Sequence, residues 1–446
     1  MADLTDVDVM KKRRYRAELA RTETFTPEQM AKYTQDQLLR LLNFARHNVP
    51  YWRKRLAPVL ADNRFDRIAW LKLAPLSRAT IVAKLAELSA RSVPDFAGQS
   101  HIGLTSGSTG APMRYRASAS DNMANAALTE RSYDWWGLEG QRNFAQIQFL
   151  PPDWPSLVEG GIPGWRPGPP DGKPVGRGLA LRVETSVEEQ LDWLLRWRPA
   201  YLNTRPTQIE ALAEASLRRG LDLRFRAVMT ISGPLSQTAR ELCRRAFGAE
   251  IYDTYGTSEC GHVAAECPTC RMLHVSAEAR LVEVVREDMT PCAPGEVGRV
   301  LITSYTNYAM PLIRYDLGDY AELGPAQAPC GRPLPSLVRV LGRETETFMR
   351  RDGSRFFPTV VARGLQQVMP LKQVQFVQTD YELVEIRYVP VGDGAAIDEG
   401  AVQRYVKSQL GDAFAARLVP VPDIPRPAGA KYFYHRCEVP GAAVCH

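Results

Sequence analysis

Six consecutive small residues begin the stretch Thr105-Ser106-Gly107-Ser108-Thr109-Gly110-Ala111-Pro112. Glycine lets the backbone approach a ligand closely, so the N–H groups and hydroxyls of such a loop can converge on phosphate oxygens. The loop is not of the Walker A type, because no Gly-Lys-Ser/Thr follows it. Composition alone leaves two interpretations open, a phosphate-binding loop or a polar surface turn.

The overall composition is that of a globular protein. The chain has 446 residues, of which 45% are hydrophobic and 24% charged, and this length allows two domains. No run of eighteen apolar residues occurs, and the charged residues 1–21 lack the apolar core of a secretory signal. We therefore expect a cytoplasmic protein with no membrane partner. The net charge of +6 suits anionic ligands such as nucleotides, but the dispersed Lys and Arg residues argue against nucleic acid as a partner.

Hydrophobic periodicity and end signals predict a regular alternation of helices and strands. Helices are expected over residues 25–50 and 121–136, the second ending at Gly137. Further along we predict a helix at 187–197 with a capping box from Ser186 and Glu189, strands at 200–203, 227–231 and 250–253, and a helix at 236–247 that ends at Gly248. This alternation indicates a mainly parallel sheet flanked by helices.

The last third of the chain has a different pattern. Short β-like runs occupy residues 290–340, and two predicted strands at 374–379 and 383–389 precede a helix at 401–410. We predict an α/β protein with two domains. The large N-terminal domain, residues 1–343, has mainly parallel sheets flanked by helices plus a β-subdomain. The small α+β C-terminal domain comprises residues 344–446.

A second polar stretch directly follows the predicted strand at 250–253, and it reads Asp253-Thr254-Tyr255-Gly256-Thr257-Ser258-Glu259. Ligands of open α/β sheets bind at the carboxyl ends of the strands, so this is a suitable place for a site. The Tyr255 ring can stack on a base, and the Glu259 carboxylate can hold Mg²⁺ beside phosphates. The alternative is a polar turn with a solvated glutamate.

Three later segments complete the pattern: Ile313-Arg314-Tyr315-Asp316-Leu317-Gly318-Asp319, then Gly342-Arg343-Glu344-Thr345, and finally Pro425-Arg426-Pro427-Ala428-Gly429-Ala430-Lys431. An ionised carboxylate such as that of Asp319 can accept hydrogen bonds from both ribose hydroxyls. A lysine such as Lys431 can supply a point charge where negative charge develops. Each segment alone is equally consistent with a surface turn or an exposed tail.

Taken in order, these segments resemble the motifs of the adenylate-forming enzymes, a group that includes acyl-CoA synthetases, aryl-CoA ligases and adenylation domains. Residues 47–52 and 73–78 resemble the phenylacetate–CoA ligase-like branch of that group. The chain departs from the usual motifs at four places. Ala111 stands where the family often has Lys, Ser232-Gly233-Pro234 where it often has Gly-Glu-Pro, and Thr345 where it often has Asp or Lys. In addition, Ala430 separates Gly429 from Lys431, which are usually adjacent.

The resemblance implies a role for each motif residue. The catalytic residues would be Lys431, Glu259 and Thr257, with Glu259 holding Mg²⁺ and Thr257 meeting the α-phosphate. Tyr255 would pack against adenine, and Asp253 would accept a hydrogen bond from its amino group. The remaining ATP- or AMP-binding residues would be Thr105, Ser106, Gly107, Ser108, Thr109, Gly110, Ser232, Gly233, Pro234, Gly256, Asp319 and Arg343.

The implied reaction has two steps. A carboxylic acid and ATP give acyl-AMP and pyrophosphate, and the thiol of CoA then displaces AMP. The resemblance also implies a mobile C-terminal domain, which rotates about a hinge near Thr345 between the two steps. The branch favours aryl acids, and Tyr133 and Trp136 could line an aromatic pocket, although their helical spacing equally fits a packed core. Two alternatives stay open: transfer to an amine or a carrier-protein thiol, and a catalytically silent nucleotide-binding regulator. A homodimer is also open.

Cysteines cluster after the second motif, at Cys260, Cys267 and Cys270. The Cys-x-x-Cys spacing lets two thiolates share a tetrahedral zinc ion. Members of the branch carry Glu-Cys-Pro-x-His here and Cys-x-Cys-Gly-Arg later, which together ligate a metal. In this chain Cys270 stands at the His position and Ala328 replaces the first later cysteine. We therefore predict a structural zinc held by Cys260, Cys267, Cys270 and Cys330, with His262 as an alternative ligand. Reduced cysteines in a packed core are the other interpretation.

Overall fold

The computed structural model describes residues 6–105, 113–150, 161–166, 174–343, 346–358, 365, 368–369, 371–390, 397–424 and 435–440. The α-helices within these residues are α1 (Asp6–Thr22), α2 (Pro27–Asn48), α3 (Pro50–Arg55), α4 (Arg67–Lys72), α5 (Arg78–Ala83), α6 (Leu85–Leu88), α7 (Ala119–Trp135), α8 (Val187–Trp197), α9 (Pro206–Arg218), α10 (Gln237–Phe247) and α11 (Glu399–Leu410). None of these helices combines the length and apolar character that a bilayer crossing requires.

The strands of the first half are β1 (Ser100–Leu104), β2 (Arg114–Ser118), β3 (Phe144–Gln148), β4 (Ile162–Pro163), β5 (Arg177–Arg182), β6 (Tyr201–Thr204), β7 (Ala227–Ile231), β8 (Glu250–Thr257), β9 (Gly261–Glu266) and β10 (Leu273–Val275). Those of the second half are β11 (Arg280–Val285), β12 (Val297–Ser304), β13 (Tyr315–Leu323), β14 (Ser336–Arg343), β15 (Phe348–Met349), β16 (Arg355–Phe356), β17 (Leu371–Asp380), β18 (Leu383–Pro390), β19 (Ala415–Pro420) and β20 (His435–Cys437).

Helix ends follow the local signals in the sequence. At the start of α8 the Glu189 N–H donates to Ser186 Oγ at 3.3 Å, and the Ser186 N–H donates to Glu189 Oε2 at 3.2 Å. This capping box satisfies two N–H groups that the helix itself leaves unpaired. At the end of α10, Gly248 adopts φ +64°, a left-handed conformation that glycine reaches without steric cost.

The main sheet has twelve strands in the order β11-β12-β13-β14-β10-β9-β8-β7-β6-β3-β5-β4. Neighbouring strands are parallel in the run β5-β3-β6-β7-β8. The antiparallel pairs are β8 with β9, β9 with β10, β10 with β14, and β11 with β12. Buried leucines of α8, α9 and α10 pack against the parallel strands. The predicted α/β fold class is confirmed, with five adjacent parallel strands, β5 to β8 in the sheet order, and antiparallel pairs on both sides of them.

One predicted strand is longer than expected. Residues 250–253 continue as β8 to Thr257, because β9 folds back and pairs Thr254 with Ala265 and Tyr255 with Ala264. The expectation that the second motif directly follows the strand is therefore wrong: the motif occupies the carboxyl half of β8 and the turn after it. The partner strand β9, which the sequence analysis did not identify, supplies the hydrogen bonds that extend β8.

The N-terminal helices pack against a segment more than two hundred residues later. Trp52 Nε1 donates to the Pro311 carbonyl at 3.0 Å, and the Leu76 N–H donates to the Arg314 carbonyl at 3.0 Å. The buried guanidinium of Arg314 donates to three carbonyls at the end of α4, those of Trp70, Leu71 and Leu73. Arg314 is thus a structural residue that fixes the entry to β13.

The chain divides into two compact units, of which the first contains the described parts of Met1–Thr105, with Met113–Leu317 and Ala321–Val340. The second contains Gly318–Tyr320 and the described parts of Leu341–His446. Its four-stranded sheet has the order β19-β18-β17-β20, and Val402 and Val406 of α11 belong to its buried core. A mobile C-terminal domain stays a prediction.

Candidate active site and metal centre

The turn after β8 places Glu259 in a buried position. Its side chain is only 7% exposed, and the Tyr315 hydroxyl donates to Glu259 Oε1 at 2.9 Å. Burial and the Glu259 carboxylate together raise the pKa of the Tyr315 phenol well above its usual value of 10, so the phenol keeps its proton and remains a donor. Tyr315 had no assigned role from the sequence, although it lies within a recognised motif. It fixes the orientation of the carboxylate that the resemblance assigns to Mg²⁺.

The residues just before Glu259 form a tight turn. Thr257 Oγ1 accepts a hydrogen bond from the Cys260 N–H at 3.0 Å. The register of β8 against β9 shifts between Tyr255 and Gly256, and a Cβ at Gly256 would lie 2.6 Å from the Gly261 carbonyl oxygen. Only glycine fits there without a shift of the backbone. The close approach of the Gly261 carbonyl therefore requires glycine at position 256, independently of any contact with a nucleotide.

Asp253 lies within β8, and its carboxylate already has partners. Thr230 Oγ1 donates to Asp253 Oδ1 at 2.7 Å, and the Thr254 N–H donates to the same oxygen at 3.0 Å. Burial, with a contribution from the nearby Glu266 carboxylate, raises the pKa of Asp253 from 3.8 to about 6. Asp253, the residue that would accept a hydrogen bond from the adenine amino group, therefore has a carboxyl group that ionises less readily than usual.

This raised pKa predicts how Asp253→Asn changes stability with pH. A native pKa above the unfolded value means that the wild type loses free energy of unfolding as pH rises from about 4 to about 6. Asparagine keeps an acceptor oxygen for Thr230 and Thr254 but cannot ionise. We expect the variant to gain about 1–3 kcal/mol relative to wild type at pH 8 and little at pH 4. Urea unfolding at both pH values checks this. An equal difference at the two values would show that the Asp253 charge does not affect stability.

The turn after β7 carries backbone strain. Ser232 has φ +70°, a left-handed conformation that costs a non-glycine residue about 1 kcal/mol. Gly233 and Pro234 follow it, in the segment that the resemblance assigns to the adenine site. Strained residues of this kind concentrate at ligand sites, where the surrounding structure holds them.

Asp319 and Arg343, the two residues assigned to ribose, contact each other in the second unit. Arg343 Nε lies 3.4 Å from Asp319 Oδ1, and Asp319 is buried. Gly318, just before it, has φ +71°, so the glycine in this motif provides a turn that other residues rarely adopt. The pair offers a carboxylate and a guanidinium together, which suits recognition of a polar sugar.

Several assigned residues lie outside the described part of the chain: Ser106, Gly107, Ser108, Thr109, Gly110, Glu344, Thr345 and Lys431. The two residues that flank the proposed phosphate loop are described. The Met113 N–H donates to Thr105 Oγ1, and the Thr105 N–H donates to the Met113 carbonyl, both at 3.0 Å. Thr105 and Met113 thus hold the two ends of the loop segment together. The loop's own role stays a prediction.

Tyr133 and Trp136 occupy a packed aromatic cluster. The Tyr133 ring centroid lies 5.6 Å from those of Phe144 and Trp165, and Trp136 stacks on Tyr252 at 5.3 Å. The Trp136 Nε1–H donates to a backbone carbonyl. These contacts are those of a core, the alternative that their helical spacing left open, and they lend no support to a role in an acid pocket.

Comparison with known proteins was made for the whole chain. No protein-family model matches it. The phenylacetate–coenzyme A ligase of Thermus thermophilus is 24% identical over 440 residues, which cover 92% of this chain and 96% of that protein. The Escherichia coli enzyme of the same name is 34% identical over 134 residues, 28% of this chain and 29% of that protein. The chain is thus similar over nearly its whole length to a phenylacetate–coenzyme A ligase.

A solved structure shares this fold over nearly the whole length. It is 2-hydroxyisobutyryl-CoA ligase in the postadenylation state, in complex with 2-HIB-AMP. The TM-score is 0.72 at 17% identity, and the match covers 93% of this chain and 91% of that one. At this identity the likeness establishes the fold.

The chain also has a group of metal-ligating side chains. These are Cys267, Cys270, His274 and Cys330, whose ligand atoms all lie within 4.8 Å of one another. His274 Nε2 is 3.1 Å from Cys330 Sγ and 3.6 Å from Cys270 Sγ. His274 Nδ1 lies 3.2 Å from the Leu334 carbonyl, which can accept a hydrogen bond from Nδ1–H and leave the Nε2 lone pair directed at the sulfurs.

The predicted ligand set was wrong in one position. Cys260 and Cys267 stand at opposite ends of β9, whose six residues span about 20 Å, so Cys260 cannot join the group. His262 lies on the same strand, and both of its ring nitrogens contact serine hydroxyls, those of Ser132 at 3.1 Å and Ser276 at 3.0 Å. The fourth member is instead His274, which the spacing Cys-x-x-Cys-x-x-x-His could have indicated.

The pKa values of three of these side chains shift in different directions. Burial disfavours the Cys267 thiolate, but hydrogen bonds from the Cys270 and Thr269 N–H groups and from Arg332 outweigh it and lower the pKa of that thiol. Burial raises the pKa of Cys270 to about 11 and lowers that of His274 to about 4. His274 is therefore neutral at pH 7, which is the ligating form. Three thiols and one imidazole form a typical structural zinc donor set.

Proposed function

We propose that the protein is an AMP-forming carboxylate–CoA ligase. It converts a carboxylic acid and ATP into acyl-AMP and pyrophosphate, and the CoA thiol then displaces AMP to give the thioester. The observation that carries this proposal is the buried Glu259 carboxylate, oriented by Tyr315 in the turn directly after β8. The phenylacetate–coenzyme A ligases among the relatives support the same reaction class.

The chemistry requires activation because a carboxylate is a poor electrophile and adenylation provides a good leaving group. Glu259 holds Mg²⁺, which neutralises phosphate charge when bound. Thr257 meets the α-phosphate, Tyr255 packs against adenine, and Asp319 with Arg343 holds the ribose. Lys431 supplies the cation where negative charge develops during adenylation.

An aryl acid is the proposed substrate class, because curated relatives are named for phenylacetate. Transfer to an amine or a carrier-protein thiol is the second candidate, since it shares the first half-reaction. A screen of carboxylic acids for pyrophosphate release, with and without CoA, tests the proposal. We expect release with at least one acid and thioester only when CoA is present. Amide formation with a supplied amine would favour the second candidate, and no release with any acid would contradict both.

We also propose that the four-residue group holds one structural zinc ion. The group joins the hairpin between β9 and β10 to the segment before β14, since Cys330 precedes that strand. Zinc would thereby cross-link chain segments about sixty residues apart, at the end of β9 opposite the turn that carries Glu259. Its contribution is to folding, because ligand binding and local folding are coupled in such sites.

Elemental analysis distinguishes the observed ligand set from the one first predicted. Protein purified without added metal should contain about one zinc per chain. We expect His274→Ala to lose it, because an open site with three thiols binds zinc less well, whereas Cys260→Ser should retain it. Loss of zinc in Cys260→Ser, with retention in His274→Ala, would support the ligand set predicted from the sequence, which includes Cys260. Absence of zinc from the wild type, with all thiols titrating as free, would rule out the site.

A further inference from the structure

An arginine whose side chain has no hydrogen-bond partner among the described residues lies at the carboxyl end of the parallel sheet. Arg205 directly follows β6 and precedes α9. Its guanidinium carbon sits 4.0 Å from the centroid of the Phe149 ring, which follows β3. The Nε atom is buried, and the guanidinium makes no hydrogen bond or close ion pair with any residue that the structure describes. Burial lowers the pKa of Arg205, and Glu184, the acidic group that opposes this effect, is exposed.

Such an arrangement leaves part of a charged side chain without a partner. The guanidinium is partly buried, so it loses some of its hydration, and stacking on one phenylalanine compensates only in part. Asn203, two residues earlier and thus on the same face of β6, has a buried Oδ1 that also lacks a partner. An unpaired donor and an unpaired acceptor side by side indicate a ligand that supplies both partners.

The position in the sheet relates Arg205 to the proposed adenylation site. Thr204 pairs with Thr230, and Thr230 pairs with Asp253, so these three residues form one row across β6, β7 and β8. Neighbouring strands are about 4.8 Å apart, so Arg205 begins about 10 Å along the sheet from the residues assigned to adenosine. An aromatic acid whose reacting carboxylate meets the α-phosphate extends over a distance of this order. Its far end would reach the parallel neighbours β6 and β3, where the strand order reverses and ligands of such sheets bind.

We propose that Arg205 binds a second carboxylate at the far end of the acid, so that the preferred substrates are aromatic dicarboxylic acids. The planar guanidinium binds carboxylates bidentately, and the Phe149 ring holds it flat. Arg205 is thus a specificity-determining residue, and Asn203 contributes a polar contact beside it. The inference rests on the proposed ligase function.

Paired acids test the inference directly. Each pair has one dicarboxylic acid and a neutral analogue of similar size, for example terephthalate with 4-methylbenzoate and 4-carboxyphenylacetate with 4-methylphenylacetate. Calorimetric binding and kcat/KM for pyrophosphate release are measured on the full chain. We expect wild type to favour the dicarboxylic member by roughly 10- to 100-fold, the value of a charge-assisted hydrogen-bonded pair. Arg205→Met should abolish this preference. Arg205→Lys should keep part of it, because lysine retains the positive charge but cannot donate two parallel hydrogen bonds as a guanidinium does.

The control variant is Arg196→Met, which removes an exposed arginine that also lies over an aromatic ring, that of Trp197. It should leave the preference unchanged. Arg205→Met should fold, since it removes an unpaired charge and keeps an apolar stem on Phe149. A melting temperature well below that of wild type would show that Arg205 is structural and would overturn the inference.

The remaining outcomes separate the inference from the proposed function. Equal use of both acids by wild type, or no binding of any dicarboxylic acid, overturns the inference alone. Acids that bind without pyrophosphate release contradict the proposed function, while a binding preference lost in Arg205→Met still supports the dicarboxylate site. A rise in KM for CoA or ATP in Arg205→Met, with the acid preference intact, would show that Arg205 binds a phosphate group and not a carboxylate. That result would overturn the inference.

Discussion

Glu259→Ala is expected to lower acyl-AMP formation by roughly 10²-fold or more, whatever acid is supplied. The carboxylate is buried and its Oε1 accepts a hydrogen bond from the Tyr315 hydroxyl, so the alanine variant removes a preorganised carboxylate. Metal-dependent pyrophosphate release is the measurement. Tyr315→Phe, which keeps the carboxylate but removes its hydrogen bond, should have a smaller effect.

Glu188→Ala serves as the matched control, because Glu188 is an exposed glutamate in the first turn of α8. It should retain full activity. Pyrophosphate release by Glu259→Ala at the wild-type rate would mean that the proposed Mg²⁺ role belongs to another residue.

Lys431→Ala is expected to separate the two half-reactions. If the C-terminal domain delivers this lysine for adenylation only, acyl-AMP formation should fall by roughly 10²- to 10³-fold. Thioester formation from pre-made acyl-AMP and CoA should largely persist, because that step does not need the lysine. Both rates are measured on the same preparation, with Lys407→Ala, an exposed lysine of α11, as control. Equal loss of both steps would indicate misfolding or a different role for Lys431.

Local order was predictable where the cause is local. The α8 capping box and the Gly248 end of α10 depend on residues within one helical turn, so the sequence contains the full explanation of those boundaries. The length of β8 was not predictable in the same way, because its second half is stabilised by hydrogen bonds to β9. A strand that ends where its partner ends cannot be delimited from its own composition.

The metal group shows the same limit. Cys260 is close to Cys267 in sequence, yet an extended strand separates them, whereas the β9–β10 hairpin returns His274 to the Cys-x-x-Cys pair. The sequence supplied the correct residue types, and the strand geometry decided which of them meet. Arg205 could not be found from the sequence at all, because what distinguishes it is the absence of a partner among the described residues, which is a property of three-dimensional packing.

The contact between the N-terminal helices and the segment around Pro311 has a consequence for biosynthesis. Trp52 and Leu76 are bonded to carbonyls more than two hundred residues later, so α3 and α4 cannot reach their native environment until that part of the chain has been made. At about 5–20 residues per second the delay is roughly 10 to 50 seconds. During that interval apolar side chains such as Trp52, Leu56 and Trp70 lack their final neighbours. They are exposed, so chaperones can bind them and the nascent chain can aggregate through them. Nascent chains that stop before residue 311 should therefore be protease-sensitive in their first hundred residues.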